Sequence, residues 1–229
     1  MPRPRTHDDA LRVRLLEVTS EVISTGGAGA VTLRDVARRA GTSPSAVYAL
    51  FGSRDDLLEA VVAEAFRRFA DHLARAATSD DAAADLLTLG VAYRSSALAD
   101  PHFYRVMFDR PVTGPAVPVG PAGAVGTEDG DDDGAVAPAG RATFGVLRAA
   151  VDRVLRDPRP QRPAADATEA ALVLWGHVHG LVALELAGLL PGGPAERERR
   201  YVAALRASGA AVLGPAGPAA TLAGRTPSA

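Results

Sequence analysis

Hydrophobic positions along this chain recur almost everywhere with helical spacing. Leu11, Leu15, Val18, Val22 and Ile23 form the stripe of an amphipathic helix, and "STGGAGA" ends it because glycine supplies left-handed caps and turns. Thr32 is then placed to cap a short helix from Leu33 to Ala40, with Asp35 three residues on as a carboxylate version of the capping box. Gly41 closes that helix, Ser43 caps the next, and Pro44 takes its first position, where a missing N–H costs nothing. Val47, Leu50 and Phe51 share one side of this helix. The segment "SRDDLLEAVVAEAFRRFADHLARA" predicts a longer helix with Leu57, Leu58, Val61, Val62, Ala65, Phe66 and Phe69 inward, long enough to join two domains.

Two more helices follow, "DDAAADLLTLGVAYRSSALAD" and "PHFYRVMFDR", the second opening on Pro101. From Pro111 to Gly140 the chain is dense in Pro and Gly with an acidic run, and it reads as a long disordered loop. Its acids Glu128, Asp129, Asp131, Asp132 and Asp133 lack the terminal bidentate carboxylate of a calcium loop and read as solvated linker. Helical spacing resumes with Phe144, Leu147, Val151, Val154 and Leu155. The stretch "ADATEAALVLWGHVHGLVALELAGLL" is apolar nearly all round, which predicts burial on more than one side, against another chain as well as its own core. A last helix, Pro194 to about Leu213, carries Tyr201, Val202, Leu205 and Val212; residues 214–229 read as a disordered tail. The pattern predicts an all-α fold: an N-terminal three-helix unit over residues 1–53, with an arm of about residues 1–7, and a helical regulatory and dimerisation domain over residues 54–213.

Composition narrows the function classes. The 229 residues are 47% apolar, enough for a small domain plus a larger one, and the absence of Cys excludes disulfides, thiolate metal sites and a cysteine nucleophile. No apolar run is read as approaching the roughly 18 residues that span a bilayer, and the N-terminus is charged, so no membrane partner and a cytoplasmic location are expected. No nucleophile stands with a base, and no Gly-rich phosphate motif opens a helix, so the reading is of a non-enzyme without cofactors. His177 and His179, two residues apart, diverge by about 200 degrees on a helix and cannot share an ion, so no metal is expected.

Net charge is −2, but it is unevenly spread. Residues 2–14 hold four Arg against two Asp, residues 32–54 hold four Arg against one Asp, and beyond Arg75 acids outnumber Arg seventeen to fourteen. The first third is therefore the basic part. With Val47 and Phe51 inward, helical geometry turns Ser45 and Ala49 outward and Tyr48 sideways, leaving a small, acid-free face suited to a major groove. Thr42, Ser43, Pro44 and Ser45 sit at the end of the helix that would touch base edges, and Thr32, Thr42, Tyr48 and Arg54 are placed to donate to phosphates.

At these residues the sequence resembles the TetR family of transcriptional regulators. "GAGAVTLRDVARRAGTSPSAVYALFGSRDDLLEAV", Gly27 to Val61, looks like the family's DNA-binding domain entering its linking helix, and "LWGHVHGLVALELAG" with "PHFYRVMF" is similar to a WHG-type ligand-binding domain. The resemblance implies a homodimer reading a near-palindromic operator on double-stranded DNA, most simply as a repressor released by a small lipophilic effector. It implies DNA contacts from Thr32, Thr42, Ser45, Tyr48 and Arg54, and Arg34, Ser43 and Pro44 are further candidates on the same helices. Leu50 stands where many members carry His or Tyr. Phe103, Tyr104, Met107, Phe108, Phe144, Leu147, Trp175 and His179 are candidate ligand-pocket residues, with His179 the polar handle. An activator of the same family, or a helical interaction or architectural protein that keeps the fold, are the other readings.

Overall fold

Glycine stops the first helix where the sequence places it. Helix α1 spans Arg5–Gly26, Gly27 follows with φ 78, and a 3-10 turn at Ala28–Ala30 leads to Thr32. The structure is a computed structural model that describes residues 5–76, 78–108, 136–157 and 166–214, and every regular element among them is helical. Thr32 Oγ1 accepts from Asp35 N at 3.2 Å to cap α2 (Leu33–Ala40), and Ser43 Oγ accepts from Ala46 N at 3.3 Å to cap α3 (Pro44–Phe51), with Pro44 in its first turn. The reciprocal half of the expected capping box is not made. Asp35 turns forward to Arg38 and to Arg39 Nε (2.8 Å), because two guanidiniums one turn on outcompete a backbone N–H for a short carboxylate.

Between α2 and α3, Gly41 sits at φ 69, ψ 36, its N–H on Arg38 O, while Thr42 N–H reaches Ala37 O at 2.9 Å. This left-handed turn sets the angle between the two helices. No atom lies within 4 Å of where a Gly41 Cβ would be, so the cost of a side chain there is backbone strain alone. Gly41→Ala is expected to destabilise the protein by about 1 kcal/mol, read as a lowered Tm in thermal unfolding followed by circular dichroism.

The remaining helices are α4 (Arg54–Ala74), α5 (Ala82–Ala99), α6 (Pro101–Phe108), α7 (Val136–Arg156), α8 (Ala167–Leu186) and α9 (Pro194–Leu213). One core runs without a break from Leu15, Val36 and Val47 in the first three helices, through Leu57, Val61 and Phe69 of α4, to Tyr93, Tyr104 and Val182. A second, smaller core joins Val151 and Val154 of α7 to Ala171 and Leu174 of α8 and Leu213 of α9. Helix α6 lies against both α1 and α4, so the regulatory half touches the N-terminal half directly.

Three expectations change. Residues 5–7 of the expected arm belong to α1, and α7 begins at Val136, so the last five residues of the expected loop are helical; Pro138 falls in the first turn, where the N–H it lacks would have had no helical partner. The rest of that loop, with its acid cluster, and residues 215–229 lie outside the described residues. Helix α8 is long and apolar enough to cross a membrane by length and composition, contrary to the sequence reading, because its Leu and Val outweigh the small Ala and Gly and the two His scattered among them. Within the single chain 22% of its apolar stretch is buried, and Val173 and Leu184 stand open.

Candidate functional site

The N-terminal face is built on α2 and α3. Val47 and Phe51 of α3 are buried, and Pro44, Ser45, Tyr48 and Ala49 are exposed, Tyr48 at 56%. Thr32 and Arg34 are exposed at the start of α2, Ser43 is exposed, and Thr42 is half-buried. Of the eight sequence-chosen residues, Thr32, Arg34, Ser43, Pro44, Ser45 and Tyr48 are exposed, and Thr42 and Arg54 are half-buried. No acid lies in α3. On α2, Asp35 is held below the ordinary carboxylate range by its hydrogen bond from Arg38, with Arg39 adding to it, so its charge is neutralised locally.

Arg54 does something the sequence did not announce. It is half-buried at the start of α4, and its Nε donates to Val31 O at 2.9 Å and its Nη2 to Ala28 O at 2.6 Å, with Asp55 3.1 Å from Nη1. The guanidinium therefore staples the α1–α2 connection to α4. Neither carbonyl has a sequence signal that would reveal it, since the contact joins residues 23 and 26 positions apart.

Toward the C-terminal half, aromatic side chains from five helices, α4 to α8, meet, with Phe69 of α4 5.1 Å from Tyr93 and 6.4 Å from Phe108 between ring centroids. Phe108 stands 4.9 Å from Tyr104, 4.9 Å from His179 and 6.2 Å from Trp175 between ring centroids, and Trp175 continues to Phe144 at 6.4 Å. These spacings are those of favourable tilted and edge-on ring pairs. His179 Nδ1 lies 2.8 Å from Tyr104 Oη and 3.1 Å from Tyr93 Oη, and the two hydroxyls are 3.3 Å apart. With the ring proton on Nε2, Tyr104 donates to His179. Burial pushes the Tyr93 hydroxyl up to about 12, against the opposing pull of hydrogen bonds with Tyr104 and Trp175, so it stays a protonated donor.

Five of the eight candidate pocket residues, Tyr104, Phe108, Phe144, Trp175 and His179, join this chain of rings. Phe103 and Met107 line a small crevice beside it, between α4, α5 and α6, with Arg68, Phe69, Ser96 and Asp100; Arg68 lies over the Phe103 ring at 4.3 Å. Leu147 packs from α7 between the two cores. Sequence reasoning missed Tyr93. Its place one turn past Leu89 on the apolar side of α5 was the available signal, and its hydroxyl the reason to ask for a partner.

Two further polar arrangements tie the helices. His102 Nδ1 of α6 lies 2.6 Å from Ser24 Oγ of α1, and Arg68 of α4 reaches Glu17 of α1 at 3.4 Å and Asp100 at 3.8 Å, so the ends of the two halves are joined by side chains as well as by core. Deeper, Arg94 of α5 pairs in two-point fashion with Glu185 of α8, both bonds 2.7 Å. His177 is exposed and His179 half-buried on α8, and among the described residues no three His, Cys, Asp or Glu are grouped to hold a metal ion.

The chain is similar to known proteins. A family model described as "Bacterial regulatory proteins, tetR family" matches residues 15–61, and one described as "Tetracyclin repressor-like, C-terminal domain" matches residues 86–208. The chain is 27% identical over 199 residues to the HTH-type transcriptional regulator Rv1816 of Mycobacterium tuberculosis, covering 79% of this chain and 82% of that one. The crystal structure of SCO4313, described as a regulatory protein, is 30% identical with a TM-score of 0.64 over 91% of this chain and 98% of that one. The TetR family transcriptional regulator PfmR of Thermus thermophilus shares the fold at 18% identity and a TM-score of 0.61, over 85% of this chain and 96% of that one.

Proposed function

The chain belongs to the tetR family of bacterial regulatory proteins, transcriptional regulators with a helix-turn-helix DNA-binding domain, and from that premise we propose that it is a homodimeric repressor of a near-palindromic operator. The observation that carries the reading is the outward face of α3, free of acids and presenting Tyr48 to solvent. In this reading Thr32, Arg34, Thr42, Ser43, Pro44, Ser45 and Tyr48 meet the duplex, and Arg54 holds the loop that positions Thr32. The open apolar side of α8, with Val173 and Leu184, takes a second copy together with α9, which keeps the protein in the cytoplasm with its DNA and not in a membrane.

A small lipophilic effector enters at the aromatic chain around Trp175 and His179, with Phe103, Tyr104, Met107, Phe108, Phe144 and Leu147 adjoining it. Within the family, a WHG-type C-terminal domain accommodates Trp175, Gly176 and His177 as they stand on α8. Effector binding favours a dimer whose two α3 helices no longer match the half-site spacing. The linkage is reciprocal, so an effector that weakens operator binding must itself bind the DNA complex less well by the same factor.

The test is retention of duplexes from the chain's own upstream region, with salt titrated. A specific duplex held at nanomolar protein, with affinity falling steeply as salt rises, supports the reading, because phosphate contacts release counterions. Tyr48→Ala is expected to weaken retention about tenfold to a hundredfold without lowering Tm, a loss of about 1.5 to 3 kcal/mol for a hydrogen bond to a charged phosphate. Binding that is weak and no better than to scrambled DNA, both for these duplexes and in a genome-wide fragment selection, would sink the repressor reading and favour an interaction protein.

A further inference from the structure

Helix α3 carries no side chain able to make a two-point hydrogen bond to a base. Guanine is read that way by Arg or Lys and adenine by Asn or Gln, while a thymine offers its C5-methyl group to apolar contact. The helix is Pro44, Ser45, Ala46, Val47, Tyr48, Ala49, Leu50 and Phe51, and the whole chain has neither Lys nor Asn. The nearest guanidiniums C-terminal on α2, Arg38 and Arg39, are both drawn to Asp35.

With Val47 and Phe51 buried, a turn of about 100 degrees per residue puts Ser45 and Ala49 on the outermost line of the helix, one turn apart. Ser45 Oγ lies 2.9 Å from Ser43 Oγ, which is itself engaged in capping Ala46 N. The outermost line thus presents one hydroxyl already in a local hydrogen bond and, a turn further, a bare methyl.

We propose that the recognition helix reads thymine, through contact of the Ala49 methyl with a thymine C5-methyl in each operator half-site. This rests on the DNA-binding reading above. Specificity at that base pair then comes from an apolar contact, and hydrogen-bond readout falls to Arg34 at the start of α2, outside the recognition helix.

The experiment starts from an operator selected from genomic fragments by the full-length wild-type protein. The duplex is rebuilt with deoxyuridine for thymidine one position at a time, which removes only the methyl group. The expected result is one position per half-site at which the exchange weakens binding about fourfold, and about fifteenfold when both half-sites are changed. Ala49→Gly is expected to bind the thymine and uracil duplexes alike. Should circular dichroism find that variant unfolded, Ala49→Ser, which keeps the helix and adds a hydroxyl at the contact, is expected to weaken the thymine duplex and narrow the difference. Uracil exchange without effect at every position overturns the inference, as does a uracil effect that persists unchanged in both Ala49 variants. Sensitivity confined to 7-deazaguanine positions and removed by Arg34→Ala assigns the readout to α2 and likewise overturns it. Failure to retain any fragment at low salt overturns the DNA-binding reading itself and the inference with it.

Discussion

Glu185→Ala is expected to destabilise the protein by about 3 to 5 kcal/mol, the largest effect of any single substitution argued for this chain. The Glu185 side chain is 5% exposed and that of Arg94 10%, and Arg94 donates Nε to Oε2 and Nη2 to Oε1, both at 2.7 Å. Arg197 of α9 brings a second guanidinium: its Nε is buried without a hydrogen bond, 3.4 Å from Glu185 Oε1, held by charge alone. The Arg94 guanidinium also lies 5.6 Å from the Tyr201 ring, whose hydroxyl donates to Gly90 O at 2.8 Å. Removing Glu185 therefore leaves two cations facing each other in a poorly solvated place. Removing Arg94 leaves the carboxylate one partner. The order Glu185→Ala below Arg94→Ala below wild type is the outcome to look for in urea unfolding, and a Glu185→Ala midpoint equal to wild type would refute the account. Arg94→Met with Glu185→Leu should recover much of the loss, because a matched apolar pair avoids the desolvation penalty.

The same pair sets an acid limit. Hydrogen bonding from Arg94, helped by the nearby charge of Arg197, holds the Glu185 carboxyl below its ordinary 4.5, outweighing the opposing effect of burial. A carboxyl depressed in the folded state contributes stability that is fully present above its unfolded value and is lost as pH falls through the folded one. The difference in unfolding free energy between wild type and Glu185→Ala should accordingly be constant near neutrality and shrink only below about pH 4.5. A difference that shrinks on the alkaline side instead would contradict the assignment.

What the sequence made legible is what local spacing encodes. The caps at Thr32 and Ser43, Pro44 in the first turn of α3 and the left-handed Gly41 were readable because each acts within four residues of itself. The outward line of Ser45 and Ala49 followed from the same periodicity. The ring chain from Tyr104 to Trp175 was reachable in part, since aromatic residues on apolar helix sides have few places to go. Contacts between distant segments were not legible: Tyr93 with His179 is 86 residues apart and Arg94 with Glu185 is 91. The charged pair in particular hid behind composition. Arg94 and Glu185 look like ordinary surface residues one by one, and α8 looks wholly apolar until Glu185 is seen turned inward. Asp35 taught the reverse lesson: a spacing that fits a capping box does not decide which donor wins when two arginines follow on the next turn.

Arg54→Ala is expected to loosen the N-terminal half by about 3 kcal/mol, since it removes two hydrogen bonds from a charged donor and strands two carbonyls. Both acceptors, Ala28 O and Val31 O, belong to the turn that delivers Thr32 to the start of α2, so the loss falls on the geometry of the whole α2–α3 face. Arg54→Lys should recover little, because a single ammonium cannot span two carbonyls as the planar fork does. Two measurements separate this positioning role from direct binding of a phosphate. If Arg54 neutralises a phosphate in the complex, its removal lowers the slope of log affinity against log salt by about one per site, while Tm stays put. A broken staple lowers Tm and weakens all duplexes through the population of correctly folded face, with the slope unchanged. The Arg54 guanidinium is already engaged on its Nε and Nη2 sides in the free protein, so the second pattern is the expected one. An unchanged Tm with a reduced salt slope would return Arg54 to the DNA backbone, and the anchoring of the α1–α2 turn would then have to rest on Gly27 and the Thr32 cap.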